Sequence, residues 1–224
     1  MRAANNIYSV ATGPTIRVVV GPSKQEFTIH EHLAKSKSKY FSTALSGPWQ
    51  ETQQRTFELA EQNVSVFTSF VNYLYSEGVK FDVAAPAEAI EIFLIECYLL
   101  GERRSCASYR RAVLLALSTI FGRTNFPSIN AMMLAFIESR EKSTLRRYIV
   151  DLCVWDVTSS VRTAILEGTL EESMAPGFRD EFLKAMLLRD KERNSVHHNT
   201  ASQQSIFNLD YDESSDEVQA DSPI

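Results

Sequence analysis

Apolar and polar positions alternate with two different periods over the first third of the chain, and the change of period marks out its elements. Ile16, Val18 and Val20 alternate with Arg17 and Val19, and beyond Gly21-Pro22, Phe27 and Ile29 alternate with Glu26 and Thr28. Two short period-two runs joined by a turn predict a hairpin. The period then lengthens to roughly 3.6 in Leu33, Tyr40, Phe41, Ala44 and Leu45, interrupted at Ser36 and Ser38. A serine there can cap a new helix, so two short helices are expected rather than one. Phe57 and Leu59 alternate with Thr56 and Glu58 as a third strand. Asn63 then caps a helix with Val66, Phe67, Phe70, Val71, Leu74 and Tyr75 on a broad apolar face.

Beyond this stretch the helical period dominates. Val79-Lys80-Phe81 reads as a short edge strand ahead of a helix opened by Pro86, in which Ile90, Phe93, Leu94 and Cys97 follow i, i+3, i+4, i+7. Ile92, Ile95 and Leu99 fill its other faces, so it should be buried on most sides. A second helix is expected from about Cys106 to Phe121, with Tyr109, Val113, Ala116, Leu117 and Ile120 on one face and a stop at Gly122. Further helices are predicted over 128–189, carrying Ile129, Met132, Met133, Phe136 and Ile137, then Leu145, Tyr148, Ile149 and Leu152, then Phe178, Phe182, Met186 and Leu187. Asp156 to Gly177 reads as the loosest part of this region.

The residues of the first half resemble the BTB/POZ domain, of the free-standing kind found in fungi. The resemblance is carried by the hydrophobic strand ending in Gly21, Phe27-x-x-His30, Ser38-x-Tyr40-Phe41, Trp49-Gln50-Glu51, the strand at Phe57 to Leu59, and Phe67 to Leu74-Tyr75. It implies an α+β fold, a small sheet flanked by helices, and a protein-interaction module rather than an enzyme. The expected organisation is a flexible N-terminus at 1–14, a BTB/POZ domain at 15–122, a helical extension at 123–193 and a disordered acidic tail at 194–224.

Composition narrows the function classes. With 224 residues and 44% hydrophobic content the chain can bury a sizeable core. Its first residues carry no secretory pattern, and its apolar runs are too short to span a bilayer, so an intracellular protein, cytoplasmic or nuclear, without membrane attachment is expected. The net charge of −5 belongs to the tail: without its six acids, the 28 acidic residues fall to 22, against 23 Lys and Arg. A nearly neutral body with no basic cluster among aromatics argues against nucleic-acid binding of its own. Cys97, Cys106 and Cys153 form neither a disulfide framework nor a CxxC site and read as buried thiols.

No catalytic, metal or cofactor residue is nominated. There is no GxSxG, phosphate-binding glycine loop, HExxH or DxDxDG pattern. His30 and His32 lack ligands at metal spacing, and the resemblance implies a structural role for His30 at a strand-to-helix corner. Ser214 and Ser215, followed by Asp216 and Glu217, stand in a context that acidic-directed serine kinases accept.

Two functions remain. In BTB adaptors, a hydrophobic residue, any residue and then glutamate ahead of the third strand contact a cullin scaffold of a ubiquitin ligase, and that pattern resembles Trp49-Gln50-Glu51 here. The alternative is a scaffolding or oligomerisation protein with no ubiquitin-ligase role. Where dimeric relatives carry Asp before the first strand and Lys or Arg after the histidine, this chain has Thr15 and Glu31. A monomer or a weak homodimer is therefore expected.

Overall fold

The computed structural model describes residues 13–47, 54–124, 127–155 and 177–195. The chain divides into two compact units, one of Met1–Phe81 with Leu100–Ala112 and one of Asp82–Leu99 with Val113–Ile224. Trp49-Gln50-Glu51, most of the stretch expected to be loosest, and Ser214 and Ser215 lie outside the described residues.

The first unit is built on a three-stranded sheet of order β2-β1-β3. Strands β1 (Thr15–Val20) and β2 (Gln25–His30) pair antiparallel, with Val18 opposite Phe27 and Ile16 opposite Ile29. Period-two patterning sends Ile16, Val18, Val20 and Ile29 inward to near-complete burial. The turn closes through Lys24 N–H donating to the Gly21 carbonyl. Gly21 sits at φ +71, and an added Cβ would stand 3.0 Å from Val64 Cγ2 and 3.2 Å from the Gln62 carbonyl. Only glycine meets both demands. Strand β3 (Thr56–Leu59) runs parallel to β1, which requires a crossover, and the helices between β2 and β3 lie in that connection.

Those helices are α1 (Glu31–Lys37) and α2 (Lys39–Ala44), separated at Ser38 as expected. The Ser38 hydroxyl accepts the Phe41 N–H as the N-cap of α2. Helix α3 (Val64–Ser76) is capped by Asn63, whose side chain accepts the Ser65 N–H, and ends at Glu77 in the left-handed region. Its buried face holds Val66, Phe67, Phe70 and Leu74 as expected, together with Ser69 and Tyr73. Tyr75 does not join that face. It is 47% exposed, because its polar tip is taken by His30 rather than by the core. Phe41 packs edge-on to Phe57 at 5.1 Å, and Phe70 edge-on to Tyr109 at 5.2 Å. These contacts tie helix to sheet and to the 100–112 segment of the same unit.

Val79-Lys80-Phe81 is not a strand. The four residues between Gly78 and the turn at 83–85 pair with no strand of the β2-β1-β3 sheet. Helix α4 (Ala87–Arg103) begins after Pro86 and is buried along most of its length, as its pattern demands. Helix α5 (Ala107–Thr124) passes through Gly122 instead of stopping there. That glycine has open space where a Cβ would be and no left-handed φ, so it caps nothing. The boundary between the two units falls inside α4 and inside α5.

In the second unit, α6 (Ile129–Glu138), α7 (Thr144–Trp155) and α8 (Phe178–Ser195) follow the ends of α4 and α5 that belong to it. The buried Glu91 carboxylate accepts the Ser128 N–H at 2.8 Å, and the Ser128 hydroxyl caps α6 by accepting from Ala131 N–H. The inward face of α6 is Ala131, Met132, Ala135 and Phe136, and Ile129 and Ile137, expected there, are 45% and 54% exposed. The sequence is apolar nearly all round this helix, so its period alone does not choose a face. Packing chooses it: Phe178 of α8 meets Phe136 edge-on at 5.1 Å, and Arg146 of α7 reaches the carbonyls of Phe136 and Ser139 at the α6 C-terminus. Tyr148 is buried against Phe121, which pushes its hydroxyl pKa well up. On α8, Phe178 and Phe182 are buried, whereas Leu187, expected beside them, is 64% exposed. The helix also runs to Ser195, two residues into the expected tail.

Candidate protein-interaction surface

The segment nominated by sequence, Trp49-Gln50-Glu51, is joined at both ends to well-anchored backbone of the first unit. On the near side α2 finishes with Leu45 N–H donating to the Phe41 carbonyl and the Ser46 hydroxyl donating to the Ser42 carbonyl at 2.7 Å. On the far side the Arg55 carbonyl accepts the Arg17 N–H at 2.8 Å, extending the β1–β3 ladder by one bond. Arg55 takes a left-handed φ of +48 there, and its guanidinium lies 2.8 Å from Glu31. The near flank is thus set by α2, and the far flank by the sheet and by α1.

Glu31 carries more than its position in the sequence suggests. Its carboxylate takes Arg55 at 2.8 Å and Lys35, one turn along α1, at 3.6 Å. Its backbone N–H donates to the Pro14 carbonyl, so that end of the N-terminal stretch expected to be flexible is tied down. The residue is committed within its own chain.

His30 ends β2 and precedes α1 without capping it through its side chain. Its backbone N–H donates to the Tyr75 hydroxyl at 3.2 Å, and that hydroxyl stands 2.8 Å from His30 Nδ1. All of these bonds are satisfied when the hydroxyl proton is given to Nδ1. His30 therefore joins the strand-to-helix corner to the end of α3. Among the described residues no group of three His, Cys, Asp or Glu stands close enough to hold a metal ion. Cys97, Cys106 and Cys153 are buried thiols that form no disulfide.

Two further features were missed by period and motif alone. Lys37 lies 2.6 Å from Glu77 and 5.1 Å above the Tyr73 ring. Through its hydrogen bond and charge, Lys37 holds the exposed Glu77 carboxyl below the ordinary range. Arg104, at the end of α4, lies 4.5 Å over the Tyr40 ring, and its carbonyl accepts the Ser38 hydroxyl at 2.6 Å. The sequence signal for the second was the pairing of a lysine-serine run at 35–39 with Arg103-Arg104 across 60-odd residues, which only the folded chain brings together. In the second unit an open groove of about 620 Å³ is lined by Phe136, Ile137, Lys142, Arg146, Glu181 and Lys184 among others.

Residues 13–109 match the family model of the BTB/POZ domain. These residues are a BTB/POZ domain. BTB/POZ domains are protein-interaction modules, and residues 13–109 are such a module. The three-stranded sheet with its flanking helices is the BTB/POZ core, and α5 continues past the matched residues into the second unit. No curated protein matches the chain. Among the described residues no helix is long and apolar enough to cross a membrane.

Proposed function

We propose that the chain is a non-catalytic intracellular adaptor whose BTB/POZ domain offers Trp49-Gln50-Glu51 to the cullin scaffold of a ubiquitin ligase, while other surfaces hold a partner. The observation that carries the reading is the location of the hydrophobic-x-Glu pattern inside the matched domain, five residues before β3, between two flanks fixed by backbone hydrogen bonds. A tryptophan supplies a large apolar anchor for a partner's groove, and the glutamate sets register against a donor on the partner. In this reading the BTB/POZ domain proper spans 15–122, the helices of 123–193 form its extension, and Ser214 and Ser215 in the acidic tail are phosphorylation sites. The adaptor works as a monomer or a weak homodimer, since Glu31 is neutralised by Lys35 and Arg55 of its own chain. Titration of the full chain with a cullin N-terminal region tests the reading. Binding that is lost on Trp49→Ala with Glu51→Lys supports it, and no binding by the unaltered chain leaves scaffolding by assembly with other partners.

A further inference from the structure

We infer that the open groove lined by the end of α6 and the start of α8, with the leucines that continue it along α8, is the docking site for residues 205–212 of the same chain, seated through Ile206, Phe207 and Leu209. The surface lies within the second unit and stands whether or not a cullin is bound.

The groove, of about 620 Å³, has Phe136 and Ile137 of α6 among its lining and Asp180 and Lys184 of α8. Ile137 is exposed although apolar, because its neighbour Phe136 takes the contact with Phe178. On α8, Leu187 and Leu188 follow Lys184 by three and four residues, so they stand on the face that Asp180 and Lys184 turn to the groove. Both are exposed, as is Leu183. An apolar stripe thus leaves the groove and runs toward the C-terminal end of α8, open to solvent. The charges around the groove balance, with Lys142, Arg146 and Lys184 against Glu141, Asp180 and Glu181. A highly charged ligand gains little there, and apolar contact selects the occupant.

The tail has both the reach and the composition. Helix α8 ends at Ser195, and Leu187 stands eight residues, about 12 Å, before that end. Residues 196–205 then lead to Ile206 and can span up to about 36 Å, more than the roughly 22 Å back to Asp180. Between Arg193 and Asp210 the sequence has no Asp, Glu, Lys or Arg, and Ile206, Phe207 and Leu209 cluster at the end of that stretch. An uncharged segment with three large apolar side chains suits a groove of balanced charge. The carboxylates resume at Asp210 and Asp212, where the exposed Lys142 and Lys184 can receive them. A second copy carries the same segment, but a tether of this length supplies it at roughly millimolar effective concentration, far above micromolar protein. The tethered segment therefore occupies the groove, and a partner with similar apolar residues must displace it.

The test is NMR of the full chain with isotope-labelled Ile and Leu methyls, compared with the full-length variant carrying Phe207→Asp and Leu209→Asp. The Ile137 methyls and those of Leu187 or Leu188 should change resonance in the variant, having lost the ring of Phe207. In the unaltered chain the same resonances should stay fixed on about tenfold dilution, as a tethered occupant requires. Nuclear Overhauser contacts from the Phe207 ring to those methyls in the unaltered chain should give the same result without a substitution. No change at Ile137, or none at either leucine, would overturn the inference and leave the stripe to another occupant. Resonances that move with dilution would overturn it in favour of a second copy.

Discussion

The Tyr75 hydroxyl stands 2.8 Å from His30 Nδ1 and accepts the His30 backbone N–H, so one phenol satisfies two groups at the corner where β2 becomes α1. Tyr75→Phe keeps the ring and removes both bonds. The pair is partly exposed, so the loss should be modest, about 1 kcal/mol, and be read as a lowered thermal midpoint with an unchanged fold by circular dichroism. A midpoint equal to that of the unaltered chain would mean that water replaces the hydroxyl without cost.

Ser38 is 1% exposed and does two things at once: its hydroxyl accepts the Phe41 N–H as a helix cap and donates to the Arg104 carbonyl. Ser38→Ala removes the partner of the buried Phe41 N–H and of the part-buried Arg104 carbonyl. The expected cost is about 2 kcal/mol, at the upper end of capping losses, measured by denaturant unfolding. Threonine at the same place should recover most of it.

The sheet and the helices of the first unit were legible because one face of each is buried, and burial writes itself as period two or 3.6. Ser38 and Asn63 were readable as caps for the same reason, being local and polar at the start of an apolar run. Tyr75 and Tyr73 were not separated, since both are aromatic on one helix and only the partner at His30 decides which faces out. The faces of α6 and α8 were blurred for a related reason: Ile129, Ile137 and Leu187 are apolar yet exposed, and only neighbours such as Phe178 and Arg146 fix the phase. The Arg104–Tyr40 contact was invisible because it joins residues 64 apart in sequence through two loop bonds. The Trp49-Gln50-Glu51 pattern, by contrast, is visible only in the sequence, as its residues lie outside those described.

Glu181 of α8 lies 3.6 Å from Arg146, and burial still outweighs that attraction and raises its carboxyl above the ordinary value near 4.5. Between the unfolded and folded pKa values the folded chain holds a proton that the unfolded chain has lost, so this group's contribution to stability falls as pH rises through that window. Glu181→Gln should remove the slope. The midpoint of the variant minus that of the unaltered chain should be smallest below pH 4.5 and grow as pH rises toward neutrality. A difference that shrinks over the same range would show the Arg146 ion pair to be dominant.

Self-association follows from Glu31. With its carboxylate already shared by Arg55 and Lys35, it offers no charge to a second copy. Multi-angle light scattering on the purified chain at micromolar concentration should give the monomer mass or a concentration-dependent average. A dimer that persists on dilution would require an interface that does not depend on this pocket.

The adaptor reading turns on Trp49 and Glu51, and calorimetric titration of the full chain with the N-terminal region of a cullin from the same organism tests it most directly. The account predicts saturable binding that Trp49→Ala with Glu51→Lys weakens by roughly 2–4 kcal/mol while circular dichroism and the thermal midpoint stay unchanged. A tryptophan packed into the core would behave differently, since its truncation would cost about 3–5 kcal/mol of stability. Saturable binding lost in the folded double variant supports the account; no binding by the unaltered chain at tens of micromolar, or a double variant that unfolds, contradicts it.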